Sequence, residues 1–146
     1  MPHLSLAISP RGPLLQFLIG VSGPRATALS AAGQPIPPHI PITGLIDTGA
    51  SCTSIDPSIL IQLGIPTSGT TTVHTPSTQA NAPHPVNLYD ISLVLAHPLI
   101  TRTFQAVPVI EANLIHQGIQ ALIGRDILAA CHFTYDGQAS TFTLSF

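Results

Sequence analysis

The stretch Ile42-Thr43-Gly44-Leu45-Ile46-Asp47-Thr48-Gly49-Ala50 decides how the rest of the chain is read. Its first five residues are apolar and β-branched enough to form a buried strand. That strand delivers a carboxylate, Asp47, to a tight turn, where Gly49 permits a backbone path that a side chain would block. A carboxylate at the end of a buried strand is costly unless it is hydrogen-bonded or functional. The triplet Asp-Thr-Gly is modest evidence alone, since roughly one random chain in thirty of this length would contain it. It occurs once, and no internal repeat accompanies it.

Working outward, a second signal stands about 75 positions later, at Ala121-Leu122-Ile123-Gly124-Arg125-Asp126. Two apolar residues followed by glycine let a strand pass close to another backbone, so Gly124 is expected to pack against the Asp47 loop. Between the two signals lies a well-marked short helix. Asp56 caps it, Pro57 suits its first position, and Gly64 suits a left-handed stop after Ile59-Leu60-Ile61-Gln62-Leu63. Residues 70–75 are β-prone, 76–85 form a Pro-bounded polar loop or hairpin tip, and Tyr89, Ile91, Leu93 and Leu95 alternate along a return strand. Further strands are expected over 101–109 and 119–123, with a second short helix over 126–130.

The flanks read the same way. Leu4, Leu6 and Ile8 alternate, and 14–21 is a nearly continuous apolar strand ending in the turn Ser22-Gly23-Pro24. Residues 26–41, rich in Ala, Pro and Gly and without periodicity, read as a long surface loop. Phe133 and Tyr135, then Asp136-Gly137, then Phe142, Leu144 and Phe146 signal a closing hairpin. With 15 prolines and 11 glycines punctuating short apolar runs, the chain reads as an all-β domain over residues 1–146 with one or two short helices.

Composition excludes several classes of function. Of 146 residues, 45% are apolar and only 7% charged, which rules out a charge-driven disordered chain. Four Lys+Arg at a net charge of -2 leave nothing to neutralise a row of phosphates, so no nucleic-acid partner is expected. The longest apolar stretch is far short of the roughly 20 residues needed to cross a bilayer, and no basic cluster precedes it, so neither a membrane partner nor a signal peptide is expected. Cys52 and Cys131 are too few for a disulfide framework or a four-ligand zinc site, and a reducing, cytoplasmic location is favoured. His74, His84, His97, His116 and His132 match no ligand spacing, so no metal or other cofactor is expected.

Together, in this order and spacing, Asp47-Thr48-Gly49-Ala50 and Ile123-Gly124-Arg125-Asp126 resemble the retropepsin-like aspartic proteases, in a cellular or bacterial rather than a viral form. The resemblance covers residues 14–146 and implies a closed, barrel-like retropepsin (acid protease) fold. It implies that Asp47 is catalytic, that the Thr48 hydroxyl bonds across two active-site loops, and that Gly49 and Ala50 complete the loop. Ile123 and Gly124 would pack beneath it. Thr75, Pro76, Ser77 and Thr78 would belong to a flap closing over a peptide, with arms over 70–75 and 86–95.

The resemblance also implies a stoichiometry. Hydrolysis of this kind uses two carboxylates sharing a proton, and this chain has one Asp-Thr-Gly, so the enzyme would be a homodimer with Asp47 from each subunit. The terminal strands would interleave between subunits or face the chain's own core. Ser51 stands where retroviral members often carry Asp, and the proposed flap tip contains no Gly. Arg125 is left to pair with Asp126, Asp56 or another acid. Two functions follow: an aspartic endopeptidase acting on peptide or protein substrates, or a catalytically silent module of the same fold that binds a peptide or protein partner.

Overall fold

The computed structural model describes residues 1–74 and 84–146. Among the described residues, ten strands, three short helices and one 3-10 turn follow in order. They are β1 (His3–Ala7), β2 (Leu14–Val21), α1 (Gly23–Ala31), β3 (Ile40–Ile46), β4 (Ser54–Ile55), α2 (Pro57–Leu63), β5 (Gly69–Val73), β6 (His84–His97), β7 (Ile100–Glu111), the turn at Ile115–Gln117, β8 (Ala121–Ile123), α3 (Arg125–Leu128), β9 (His132–Asp136) and β10 (Thr141–Ser145).

The strands β2-β3-β8-β4-β7-β6 run in sequence around a closed ring, because β2 also pairs with β6, and β5 hangs on the outer part of β6. Closure leaves no free edge along the ring. The interior is filled by Leu15, Phe17, Ile19, Ile42, Ile55, Leu93, Val109 and Ile123, all nearly inaccessible. The expected alternation on β6 holds for Ile91, Leu93 and Leu95, even though the pairing with β7 shifts register between Ile91 and Leu93. A second sheet, ordered β1-β10-β9, closes the chain: β10 pairs with β1 of the same chain and turns Phe142, Leu144 and Phe146 into the chain's own core. The barrel-like all-β architecture expected from the sequence is therefore present.

Two local expectations are corrected. Residues 26–41 are not wholly a loop, since α1 occupies Gly23–Ala31. Its start is well signalled: the Ser22 hydroxyl accepts from the Arg25 N–H at 3.3 Å, and Pro24 sits in the first turn. What hid the helix is the lack of any fully buried residue on it, so no apolar periodicity marks it in the sequence. The Asp136-Gly137 signal also does not make a two-residue turn. β9 and β10 pair from Asp136 opposite Thr141, and the Asp136 carboxylate accepts the N–H groups of Gln138 and Ala139. The left-handed residue is Ser140 (φ 53°) rather than Gly137.

One pairing positions the site. β3 and β8 run parallel with Ile46 beside Ile123, so Asp47 and Gly124 leave neighbouring strand ends together. Sequence spacing between them decides nothing; the parallel ladder does.

Candidate active site

Asp47 follows directly on β3, and its own N–H donates to the Ile123 carbonyl at 2.9 Å. Its side chain is half-buried, and Oδ1 accepts the Gly49 N–H at 2.9 Å, which folds the turn around the carboxylate. Thr48 and Gly49 are exposed at the tip of the turn and Ala50 is half-buried. The Thr48 hydroxyl has no hydrogen-bond partner among the described residues.

The segment after Gly124 holds this loop from beneath. The Arg125 N–H donates to the Ala50 carbonyl at 2.9 Å, and the Arg125 guanidinium donates to the carbonyls of Thr48 (2.8 Å) and Gly49 (3.2 Å). Arg125 thus bonds to loop carbonyls and not to Asp126, Asp56 or another acid, which corrects the expectation of an ion pair. The reason is geometric: the parallel pairing sets the guanidinium over the last turn of the loop, whose outward carbonyls are the acceptors within reach. Gly124 passes close to the backbone at Cys52. A Cβ there would lie 2.5 Å from the Cys52 carbonyl carbon and 2.6 Å from its oxygen, so no side chain fits.

A second anchor lies deeper and was missed in the sequence. Thr53 is fully buried, and its hydroxyl donates to Asp126 Oδ1 at 2.8 Å while accepting the Gly124 N–H at 3.1 Å. The Thr53 N–H donates to the other Asp126 oxygen at 2.9 Å. One threonine and one carboxylate therefore lock the end of the Asp47 loop to the start of α3. The only sequence signal was an acid in the first turn of a short helix, which on its own reads as a cap.

Asp56 does more than cap α2. Burial alone would raise its pKa, but it accepts from the Ser58 hydroxyl and N–H and from the N–H groups of Leu114 and Ile115, and these bonds hold it at about 2. The cap was legible; the reach across 58 residues to Leu114 was not.

Above the loop lies an open cleft of about 1040 Å³. Its floor is Asp47, Gly49, Ala50, Ser51 and Cys52, and its far wall is the β5–β6 hairpin, through Thr71, Val73, His74, His84 and Val86. β5 and β6 pair antiparallel up to Val73 opposite His84, which forms the two expected arms. Thr75, Pro76, Ser77 and Thr78, expected in the flap, lie outside the described residues. Cys52 and Cys131 are both free. Burial and the nearby Asp126 carboxylate push the Cys52 thiol up, which disfavours the thiolate a nucleophile would need. Among the described residues no three His, Cys, Asp or Glu side chains cluster closely enough to hold a metal ion.

The model of a family described as aspartyl protease matches residues 33–127, a span that contains both the Asp47 turn and the Gly124 segment. This chain belongs to the aspartyl protease family. Among solved structures it resembles a retropepsin-like aspartic protease from Rickettsia conorii, with a TM-score of 0.62 over 99% of this chain and 91% of that one. The two are 16% identical, so the likeness is one of fold. No curated protein sequence matches. Within the aspartyl protease family, then, this member has a closed barrel, an Asp-Thr-Gly turn and a glycine passing close to that turn's loop. No helix among the described residues is long and apolar enough to cross a membrane.

Proposed function

We propose that this chain is an aspartic endopeptidase acting as a homodimer, with Asp47 of each subunit forming the catalytic pair. The observation that carries the reading is a carboxylate held at the floor of an open cleft by a turn whose backbone is bonded on both sides: Gly49 to Asp47, and Arg125 to the carbonyls of Thr48 and Gly49. Of the other five acids, Asp90 is exposed on β6 and does not line the cleft, and the remaining four are engaged in structure. Asp56 and Asp126 hold loops, Asp136 holds the β9–β10 connection, and Glu111 accepts from Asn87 and Tyr89. A second reacting carboxylate thus comes from a second copy across a two-fold axis. The free hydroxyl of Thr48 at the exposed turn tip supports a contact with that copy.

Two carboxylates at close range do not both ionise, so the pair carries one proton. The ionised Asp47 accepts a proton from water as it attacks the scissile carbonyl carbon. The protonated Asp47 donates to the carbonyl oxygen, giving a tetrahedral diol; the C–N bond then breaks as the first carboxylate passes its proton to the departing amine and a diol hydroxyl returns a proton to the second carboxylate. An extended peptide lying between the Asp47 turn and the β5–β6 arms would be held by backbone pairing, with apolar side chains on either side of the cut.

The test is cleavage of a diverse peptide mixture from acidic to neutral pH by wild type and Asp47→Asn, with the oligomeric state measured in parallel. Cuts that vanish in the variant support the peptidase. Equal cutting by both overturns it, and no cutting by a folded, dimeric wild type transfers the assignment to a silent module that binds a peptide or protein partner.

A further inference from the structure

β7 ends on Glu111, beside Ile55 of β4, at the root where the β5–β6 arms leave the barrel. Its side chain is half-buried and lines the same cleft as Asp47. Two residues of β6 hold it. Oε1 accepts from the Asn87 side-chain amide at 2.8 Å and from the Asn87 N–H at 3.4 Å, and Oε2 accepts from the Tyr89 hydroxyl at 3.3 Å. Burial and the nearby Glu111 carboxylate push the pKa of the Tyr89 hydroxyl up, so it stays a donor.

These bonds fix the carboxylate without neutralising it. All three donors are uncharged, and a side-chain amide at this position would serve Asn87 as well. What glutamate adds is a full negative charge, which is costly in a half-buried place unless a cation pairs with it. The chain supplies none. Its four Lys and Arg side chains are all arginines. Arg11, Arg102 and Arg125 donate to the carbonyls of Gly118, Ala130 and the Asp47 loop, and Arg25 lies at the start of α1. Among the described residues no Lys or Arg lines the cleft, and its two histidines, His74 and His84, make no hydrogen bond to Glu111.

A carboxylate offers about four acceptor sites, and Oε2 carries a single long bond among the described residues. Apolar surface suited to a hydrocarbon stem lies in the same lining, at Pro57, Val86 and Ile110. We propose, on the reading of this cleft as a peptide site, that Glu111 is a specificity residue selecting a Lys or Arg side chain of the substrate. The cation sits on the Glu111 carboxylate and its stem runs along the apolar wall. Asn87 and Tyr89 are positioning residues, because they fix the carboxylate where the arms meet the barrel.

The experiment has a cleavage arm and a binding arm, both on the whole chain near neutral pH. In the first, wild type and Glu111→Gln cut a positional-scanning peptide mixture. Glutamine keeps an acceptor for Asn87, and its amide can donate to the Tyr89 hydroxyl, so the variant is expected to fold. Lys or Arg should be favoured about tenfold over Met or Gln at one position relative to the cut, as one hydrogen bond to a charged group implies, and the variant should lose that preference. In the second arm, Asp47→Asn is titrated by amide NMR with the acetylated, amidated pentapeptide Val-Ala-Lys-Ala-Val and with its counterpart carrying Met for Lys. The lysine peptide should bind about tenfold more tightly, shift Asn87 and Tyr89, and lose its advantage as salt is added. No cutting by wild type beside a lysine preference in binding would sustain the subsite and overturn the peptidase. Cutting without a basic preference, or with one that survives Glu111→Gln, would overturn the subsite and leave the peptidase standing. No cutting and equal or absent binding of the two peptides would overturn both.

Discussion

Replacing Thr53 by valine tests the anchor beneath the Asp47 loop with almost no change in shape. Thr53 is fully buried, and its N–H bond to Asp126 survives the change. What is lost is the hydroxyl, and with it two bonds: the donation to the Asp126 carboxylate at 2.8 Å and the acceptance of the Gly124 N–H at 3.1 Å. A hydrogen bond to a charged group contributes about 1.5–3 kcal/mol, and a buried N–H left unpaired costs about 1–3 kcal/mol. The two losses share one site and partly overlap, so the expected cost is about 4 kcal/mol. That is a large fraction of the roughly 5–15 kcal/mol by which a domain is stable. Thr53→Ser keeps both bonds and removes one methyl, at about 1 kcal/mol. Urea unfolding of the three proteins, compared by midpoint at constant slope, reads the difference directly. If valine costs no more than about 1 kcal/mol, the hydroxyl contributes little at this position, and the hydrogen-bond account of the loop is refuted.

Other consequences follow from the same geometry. Because Asp56 is held at about 2 when folded and titrates near 3.9 when unfolded, the unfolded chain takes up protons first as pH falls. Its contribution of about 2 kcal/mol is therefore complete above pH ~4 and lost as pH falls through ~2. Asp56→Asn, which still caps α2, should flatten the stability profile of urea unfolding in that window. Gly124→Ala should destabilise by about 1–3 kcal/mol, because its Cβ would meet the Cys52 backbone at 2.5 Å, and thermal melting reads this. Arg125→Gln removes exposed bonds to Thr48 and Gly49, so stability should change by about 1 kcal/mol or less while peptide cleavage falls much further. Equal losses in stability and turnover would show that Arg125 only supports the fold.

The apolar strands, the α2 boundaries and the Asp47 turn were all legible because each is a local matter. Alternation, a capping aspartate, a proline at the first helical position and a glycine at φ 65° act over a few residues, and the chain displays them in order. Helix α1 was not legible, because a helix that buries no face leaves no period in the sequence. The partners of Arg125, the double bond of Thr53 to Asp126 and the reach of Asp56 to Leu114 were not legible either. Those contacts join residues more than fifty positions apart, and their geometry comes from the parallel pairing of β3 with β8, which no local signal encodes. The sequence alone singled out the Asp47 turn and the glycine expected to pass beneath it. Only the closed barrel decided what holds that carboxylate in place, because hydrogen-bond partners are chosen by distance in space.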